Sequence, residues 1–377
     1  MVKNVSPFRF GQIVDSEEFT NRHQEITLFK ANLLSGNNLI LMSPRRYGKS
    51  SLVKQFVLLH ADEPNTIHCM IDLFSIQNEE DFYEVLSREL IKSSSGKLEE
   101  WLNSAKTFFT QLVPRISIGT DPLNDFSISF DMKEIEKHKT EILDLPEIIA
   151  QRKNKRIILY LDEFQNVGSF DNSLGFQKLL RSVWQKHKNV SYCFYGSKRH
   201  MMREIFDKTD KPFYRFGSRF ILGRIETEHW VKFIFEKFQQ THKLIDQTLI
   251  LDIVSKMKNH PHYVQQLAHF VWSFSGKKVT PDVINYALQF MLTSNSSFFV
   301  KIIEDLSKTQ INLLKAISNG ETKLTSHRTM QDYKIGTPRN IIKNRRILEG
   351  KDIIDISADK ILFIDPLFEI WFRKNIL

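Results

Sequence analysis

Short apolar runs alternate with amphipathic stretches over the first 225 residues of the chain. Each apolar run spans four to eight residues, the length of a buried strand, and the stretches between the runs repeat apolar positions at helical spacing. The predicted strands are 38–42, 66–73, 156–161, 190–195 and 219–222. The predicted helices are about 25–34, 50–60, 80–93 and 173–187. Strands that alternate with helices indicate an α/β fold, in which helices cover both faces of a parallel sheet.

Residues 94–150 depart from this alternation. Two segments, 115–119 and 126–130, alternate apolar and polar residues on either side of 121–125, which is typical of a β-hairpin. We therefore interpret 94–150 as an insertion into the α/β core. The hairpin either decorates the fold or recognises a partner, and the sequence leaves both open.

Helical periodicity replaces the alternation from Glu226 to about Asn295, and three helices and two strands follow it. Thr337 and Pro338 supply an N-cap and a first-turn proline for the third of these helices. Three helices followed by a strand pair predict a winged helix. Its predicted elements are helices at about 308–317, 326–333 and 339–346, with wing strands 353–356 and 361–364 around Ala358-Asp359. The predicted domains are 1–225, 226–299 and 300–377.

Composition and charge narrow the class of protein only slightly. The 377 residues are 41% hydrophobic, and 53 Lys and Arg against 44 Asp and Glu give a net charge of +9. This charge favours a polyanionic partner, although nucleotide binding and a basic winged helix both account for it. Cys69 and Cys193 lie in strand-like runs, which favours buried reduced thiols over a disulfide. Without a signal peptide or a run of about 18 apolar residues, we expect a cytoplasmic protein with no membrane partner.

The segment Leu39–Leu52, LILMSPRRYGKSSL, predicts a phosphate-binding loop. An apolar strand, a tight loop ending in Gly-Lys-Ser-Ser and a helix follow one another, as in a P-loop, although Ser43 replaces the usual first glycine. Lys49 is expected to reach the β- and γ-phosphates, and the Ser50 hydroxyl to ligate Mg²⁺. A chance Gly-Lys-Ser in a basic loop is the alternative, which the strand and the helix disfavour. The predicted nucleotide-binding residues here are Ser43, Pro44, Arg45, Arg46, Tyr47, Gly48, Lys49, Ser50 and Ser51.

A second motif, RIILYLDE at 156–163, is an apolar strand that ends in two acids. Asp162 is expected to hold Mg²⁺, directly or through water, and Glu163 to orient and deprotonate the water that attacks the γ-phosphate. Both carboxylates belong at the carboxyl end of the strand, where open α/β sheets bind ligands. The two motifs together predict an ATP- or GTP-binding P-loop fold. The alternative for Glu163 is a switch that hydrolyses too slowly for this residue to matter.

Beyond these motifs, the chain resembles the prokaryotic archaeal-type AAA+ ATPases, close to the signal-transduction ATPases with numerous domains. The resemblance covers nearly the whole chain and departs from the family at two glycines: Arg215 follows Tyr214 directly, and Asn259 stands at a glycine position. The matching segments are Phe19–Glu25, Ser43–Leu52 with its Arg45-Arg46 pair, Leu161–Gln165, Tyr195–Ser197, Pro212–Arg215, Asn259–Tyr263, and Asp365–Phe368 with Trp371.

The resemblance implies an AAA+-like parallel sheet with strand order 5-1-4-3-2 and a helical lid at 226–299. It implies that Ser197 contacts the γ-phosphate or the attacking water, with a strand-capping serine as the alternative. Arg215 is implied to sense or complete the nucleotide site, in cis or from a neighbouring protomer, with a surface arginine as the alternative. Pro261 is implied to pack near the nucleotide base and to couple the lid to it.

Two further basic groups leave alternatives open. Arg45 and Arg46 contact phosphate or form packing and interdomain salt-bridge contacts. The third winged-helix helix presents predicted DNA contacts, because phosphate contacts from such a helix are the usual origin of DNA affinity. Residues 301–377 hold 14 basic and 10 acidic residues, and winged helices also dock proteins, so protein docking stays open. The predicted DNA contacts are Arg339, Lys343, Arg345 and Arg346.

These motifs predict a slow ATPase that acts as a switch with ATP and Mg²⁺. The γ-phosphate would bias the angle of the lid, and the winged helix would report the nucleotide state to a DNA or protein partner. One alternative is an ATP-gated DNA-binding regulator or loader. Another is a defence or stress sensor whose protein partner binds 94–150. The oligomeric state stays open, because AAA+ relatives often form rings and this branch often does not.

Overall fold

A computed structural model gives the fold, and it describes residues 5–14, 19–95, 101, 115–117, 126–357 and 360–377. The chain forms two compact units. The sheet unit comprises Arg22–Ser43 and Leu52–Leu222. The lid–winged-helix unit comprises the described residues of Met1–Asn21, together with Pro44–Ser51 and Gly223–Leu377. The loop between the first strand and the second helix therefore belongs to the same unit as the C-terminal half of the chain.

The sheet unit contains the elements that the apolar runs predict. Its strands are β1 (Leu39–Met42), β2 (Thr66–Asp72), β3 (Arg115–Ser117), β4 (Ser127–Ser129), β5 (Arg156–Asp162), β6 (Val190–Gly196) and β7 (Ser218–Ile221). Its helices are α1 (His23–Phe29), α2 (Lys49–Leu59), α3 (Glu79–Ser94), α4 (Met132–Lys153), α5 (Ser173–Trp184) and α6 (Arg199–Phe206). The first turn of α2, through Ser51, belongs to the other unit. The predicted helix 25–34 is α-helical only to Phe29, and a π-helical turn, Lys30–Leu34, completes it.

The main sheet is parallel throughout, with the order β2-β5-β6-β1-β7. Counted along the chain, these are core strands 2-3-4-1-5, so the predicted order 5-1-4-3-2 is confirmed. The register aligns Asp162 at the end of β5 with Asp72, and Gly196 at the end of β6 with Met42. The residues that follow β5 and β6 therefore emerge at one edge of the sheet, the carboxyl edge where such folds bind ligands.

Buried aromatic side chains pack together near this edge. Phe164, two residues after β5, is fully buried, and its ring centroid lies 4.7 Å from that of Phe194, 5.5 Å from that of Phe213 and 5.7 Å from that of Phe206. Cys69 and Cys193 are buried free thiols, as predicted, and burial raises the pKa of Cys69 to about 12. Their burial makes them core residues rather than reactive thiols.

The predicted hairpin is present as a strand pair. β3 and β4 are antiparallel, with Ile116 opposite Ile128. Residues 118–125, which include the predicted turn 121–125, lie outside the described residues. Whether the pair decorates the fold or recognises a partner stays a prediction.

Helices make up most of the described residues of the lid–winged-helix unit, which also contain an antiparallel strand pair. Its elements are α7 (Thr227–Gln240), α8 (Gln247–Lys256), α9 (Pro261–Phe274), α10 (Pro281–Glu304), α11 (Lys308–Ser318), α12 (His327–Tyr333), α13 (Pro338–Gly350), β8 (Ile354–Ser357), β9 (Lys360–Phe363) and α14 (Pro366–Asn375). The antiparallel pair β8–β9 forms the predicted wing, whose Ala358-Asp359 lies outside the described residues. One buried apolar cluster extends from Phe8 through the lid helices to Phe372. The predicted boundary at 299/300 falls inside α10, and the three-domain division stays a prediction.

Side-chain caps begin the three winged-helix helices, and one of them is the predicted cap at Thr337. Ser307 and Gln310 form a capping box on α11, and Ser326 accepts from the Thr329 amide at the start of α12. The Thr337 side chain accepts from the Asn340 amide, with Pro338 at the first helical position of α13. Among the described residues, no helix is both long enough and apolar enough to cross a bilayer.

Candidate nucleotide site

The P-loop is tightly curved and holds its lysine inside. Arg46 and Gly48 adopt left-handed backbone conformations, with φ of 65° and 87°. Gly48 adopts this conformation without strain because it has no Cβ. Lys49 is only 6% exposed, and its Nζ donates to the Pro44 carbonyl at 3.0 Å. The ammonium group therefore reaches back across the loop toward its first residue.

The start of α2 has the chemistry of an anion and cation site. The first-turn N–H groups of a helix have no partner within the helix, and they favour phosphate oxygens. Ser51 Oγ accepts a hydrogen bond from the Val14 amide at 3.2 Å, which ties the N-terminal segment to this turn. The Ser50 hydroxyl and the Asp162 carboxylate are hard oxygen donors, which suit Mg²⁺. The buried lysine and the N-terminus of α2 fit the phosphates of a nucleotide, and the Ser50 hydroxyl fits its magnesium ion.

Both arginines of the P-loop contact residues of the lid and the winged helix. Arg46 Nη1 donates to the Tyr263 hydroxyl at 2.8 Å, and Arg45 Nε lies 3.4 Å from Asp352 Oδ2. Tyr263 in turn donates to Asp365, whose other carboxylate oxygen caps α14 by accepting from the Leu367 and Phe368 amides at 2.8 and 2.9 Å. Burial raises the pKa of both the Tyr263 hydroxyl and the Asp365 carboxyl. Arg45 thus forms an ion pair and Arg46 a hydrogen bond, and a phosphate-binding role for either arginine stays a prediction.

The turn before α9 places His260 and Pro261 beside the P-loop. The His260 ring centroid lies 4.8 Å from that of Tyr47 and 4.9 Å from that of Tyr263. Burial lowers the pKa of His260 well below its usual range, and the positive charge of Arg224 acts in the same direction. His260 is therefore a neutral, packed side chain. Pro261 is the first residue of α9, and its packing against a nucleotide base stays a prediction.

Asn259 shows how the lid turn forms without the family glycine. Its φ is 61°, a left-handed conformation that asparagine tolerates better than most residues. Its Nδ2 donates to the Ile225 carbonyl and to the Thr227 hydroxyl, both at 2.9 Å. The side chain thus fastens this turn to the start of α7.

The acidic pair after β5 is held by local hydrogen bonds. Asp162 Oδ1 accepts from the Glu163 amide at 2.8 Å, and Glu163 has a left-handed φ of 51°. Glu163 Oε2 accepts from the Ser197 hydroxyl at 2.9 Å and from the Ser197 amide at 3.3 Å. The structure therefore joins two predicted site residues, Glu163 and Ser197, that lie at the ends of neighbouring strands.

Gln165 is a third member of this group, and the sequence analysis gave it no role. Its Nε2 also donates to Glu163 Oε2, and the side chain is buried at 1% exposure. The sequence does contain one indication of a role for Gln165. It lies between Phe164 and Val167, which are both buried, and a buried amide needs hydrogen-bond partners.

The remaining predicted site residues are Arg215 and the four basic residues of α13. Arg215 is exposed, has a φ of 53° and lies over the Tyr214 ring at 5.2 Å. No described hydrogen bond or ion pair joins it to another predicted site residue, so its role stays a prediction. On α13, Arg339, Lys343 and Arg346 are exposed, whereas Arg345 is half-buried.

Comparisons with known proteins establish the family. The model of a family described as an ATPase domain predominantly from Archaea matches residues 19–267, and the chain belongs to that family. A second model, described as a probable winged helix domain, matches residues 297–374. The chain is thus an AAA+-type P-loop ATPase domain with a C-terminal winged helix.

Two solved structures share this fold over almost their full length. A Walker-type ATPase of Pyrococcus abyssi is 16% identical, with a TM-score of 0.64, over 98% of this chain and 99% of that one. The ORC2 protein of Aeropyrum pernix, solved in ADPNP–ADP complexes, is 13% identical, with a TM-score of 0.56, over 96% of this chain and 95% of that one. A comparison with curated proteins finds no match.

Proposed function

We propose that this chain binds ATP with Mg²⁺, hydrolyses the ATP, and works as a switch whose winged helix reports the nucleotide state to a partner. The family supports the ATPase role. The observation that carries the switch is the hydrogen-bond path from Arg46 of the P-loop through Tyr263 of α9 to Asp365, the N-cap of α14. A change in P-loop geometry on nucleotide binding would reach a winged-helix element through three side chains.

Each site residue has a distinct task in this proposal. Lys49 and the N–H groups at the start of α2 bind the phosphates, and Ser50 and Asp162 hold Mg²⁺. The ion, when bound, neutralises charge on the phosphate oxygens. Glu163 orients the attacking water and takes its proton. Ser197 fixes the Glu163 carboxylate, and Arg215 and Pro261 are proposed to complete the nucleotide site.

The hydrogen-bond path from Arg46 couples the P-loop to α14 only if nucleotide binding changes the geometry of that path. A ligand shifts a conformational equilibrium by its differential affinity for the two states. Arg46 lies two residues before Gly48, within the loop that would surround the phosphates. Phosphate binding therefore competes with, or reinforces, the hydrogen bond of Arg46 to Tyr263, and this difference is transmitted to α14.

The test of hydrolysis is ATP turnover of the purified chain against Glu163→Gln. Removing the base should lower turnover by about 100-fold or more while ATP binding is retained. Glu204→Gln, which changes an exposed glutamate on α6, is the matched control and should turn over as the wild type does. Turnover in Glu163→Gln equal to that of the wild type would refute the catalytic role.

The test of binding is the affinity for a fluorescent ATP analogue. Lys49→Ala removes the buried ammonium group and should abolish measurable binding, because that charge neutralises phosphate oxygens. Lys54→Ala, on the same helix, is the control and should bind normally. If Lys49→Ala binds ATP as tightly as the wild type, the proposal fails.

We propose duplex DNA as the first partner to test. The exposed residues Arg339, Lys343 and Arg346 support it, because they share one face of α13. DNA-stimulated turnover that disappears in Glu163→Gln would support a DNA-coupled ATPase. Tight ATP binding with slow turnover that does not change when DNA is added would favour a protein partner.

A further inference from the structure

The side chain of Gln165 is buried beside the carboxylate of Glu163. Its Nε2 donates to Glu163 Oε2, and its own Oε1 is buried without a hydrogen-bond partner among the described residues. A buried amide oxygen without a hydrogen-bond partner destabilises the folded state. A leucine or methionine would fill this space without that cost, so the amide is better explained by its contact with Glu163 than by packing.

Two neighbouring features hold the amide in place. The 3₁₀ segment Phe164–Ser169 is anchored at Asn166, whose Nδ2 donates to the Leu73 carbonyl at 2.9 Å. At Gly196, a Cβ atom would lie 1.8 Å from Gln165 Oε1. The glycine at the end of β6 therefore provides space for the glutamine rather than an unusual backbone conformation.

The two oxygens of the Glu163 carboxylate differ in the hydrogen bonds that they accept. Oε2 accepts from Gln165 Nε2, Ser197 Oγ and the Ser197 amide. Across the part of the chain that the structure describes, no hydrogen bond ends on Oε1. One oxygen is thus fixed by three donors, and the other is left to accept a proton from water.

We propose that Gln165 is a positioning residue that fixes Glu163 so that Oε1 acts as the base. This inference rests on the proposed ATPase function. In the step it serves, the water oxygen forms a bond to the γ-phosphorus while a water proton passes to Oε1. The bond from the γ-phosphorus to the β,γ-bridging oxygen breaks, and that oxygen leaves with its electron pair as part of ADP.

The experiment measures steady-state ATP turnover of Gln165→Met, which keeps the length of the side chain and removes the donor. The value of kcat should fall by about 10- to 100-fold, because a misplaced base loses its alignment with the water. KM and the affinity for a fluorescent ATP analogue should stay at wild-type values. Gln177→Met is the matched control, since Gln177 is also a buried glutamine whose Oε1 has no hydrogen-bond partner in the described part of the chain, and its kcat should be unchanged.

Dependence on Glu163 is tested by combining the changes. In single-turnover measurements, Gln165→Met added to Glu163→Gln should lower the rate no further, because a positioning residue has no effect once its base is gone. Gly196→Ala displaces the amide without altering it and should reproduce the kcat loss. It carries the test if thermal unfolding shows that Gln165→Met does not fold.

The contrary outcomes are separable. Wild-type kcat in Gln165→Met and Gly196→Ala would overturn this inference alone. A raised KM with unchanged kcat, or a further loss in the double variant, would show a structural role and also overturn it. Wild-type turnover no faster than that of Glu163→Gln would overturn the proposed function and this inference together.

Discussion

Three residues, one each in the P-loop, after β5 and in the lid turn, have backbone conformations that usually favour glycine. Arg46, Glu163 and Asn259 all have left-handed φ values, between 51° and 65°. Such a conformation costs roughly 1 kcal/mol or more for a residue with a Cβ, and it persists when contacts determine it. Each of the three side chains has those contacts, with Tyr263, with Ser197 and with Thr227 respectively. The strain is therefore offset by hydrogen bonds that also arrange the site.

Stability should fall in acid because two lid histidines must stay neutral. Burial, and next the charge of Arg46, lowers the pKa of His262 from 6.5 to about 4, and burial lowers the pKa of His260 well below its usual range. Between about pH 4 and pH 6.5, His262 binds a proton in the unfolded chain but not in the folded chain. The contribution of His262 is therefore fully present above pH 6.5 and is lost as the pH falls toward 4. At about pH 5 its share of the loss should be about 2 kcal/mol at most.

The measurement is the urea midpoint at about pH 7.5 and about pH 5. The wild type should lose stability between the two, and His262→Gln should lose less, because it has one fewer group to protonate on unfolding. His229→Gln, at an exposed position, should behave as the wild type does. An equal loss in His262→Gln and the wild type would contradict the prediction.

At the scale of the elements, the helical geometry of α13 separates the four predicted DNA contacts into three exposed residues and one half-buried residue. Arg339, Lys343 and Arg346 are separated by four and three residues and lie on one exposed face. Arg345 lies off that face, and its Nε is buried without a hydrogen-bond partner among the described residues. The sequence identified the basic helix, but which side chains face outward depends on how it packs.

Neutralising the exposed face of α13 should weaken DNA binding. In the triple variant Arg339→Ala, Lys343→Ala and Arg346→Ala, the negative slope of log affinity against log salt should become shallower by about 3, because roughly one unit of slope is lost for each phosphate contact. Fluorescence anisotropy with a labelled duplex, measured over a salt series, gives this slope.

A control of equal charge uses exposed lysines outside α13. The triple variant Lys232→Ala, Lys277→Ala and Lys301→Ala should change the salt slope far less. If both triple variants bind DNA alike, affinity follows net charge and α13 is not the contact surface.

At the scale of the whole molecule, the P-loop belongs to the unit that contains the lid and the winged helix. Within that unit, contacts link the P-loop or the lid turn to the winged-helix segment at three points. These are Arg46 through Tyr263 to Asp365, Arg45 to Asp352, and Lys258 to Glu369, whose Nζ and Oε2 are 2.5 Å apart. The first of these contacts joins the P-loop to the N-cap of α14 through the Tyr263 hydroxyl.

Removing one hydroxyl should uncouple the nucleotide from α14. Tyr263→Phe loses both the acceptor for Arg46 and the donor to Asp365. ATP binding should persist, whereas the ATP-dependent change in hydrogen exchange of the α14 amides should shrink by at least half, as expected when a contact carries the coupling. Exchange mass spectrometry with and without ATP measures this difference.

Tyr286→Phe is the control for that experiment, because Tyr286 is 62% exposed on α10. It should keep the full ATP-dependent change. The coupling route is wrong if Tyr263→Phe keeps it too.

Much of the fold and part of the site could be predicted from consecutive residues. The apolar runs predicted β1, β2, β5, β6 and β7 because a buried strand needs a short continuous apolar segment. The cap at Thr337 was predicted because a cap acts within three residues of itself. The P-loop and the Asp162-Glu163 pair were likewise recognisable, since their chemistry depends on neighbouring residues.

The partners of these side chains were decided only by the tertiary structure. Arg46 and Tyr263 are 217 positions apart, and Tyr263 and Asp365 are 102 apart. The space that Gln165 occupies exists because Gly196, on the neighbouring strand, has no side chain. Hydropathy patterns report whether a residue is buried, whereas a hydrogen bond depends on two groups that folding brings within about 3 Å of each other. The sequence therefore predicted the chemical groups of the candidate site, and the fold determined which side chains hydrogen-bond to one another.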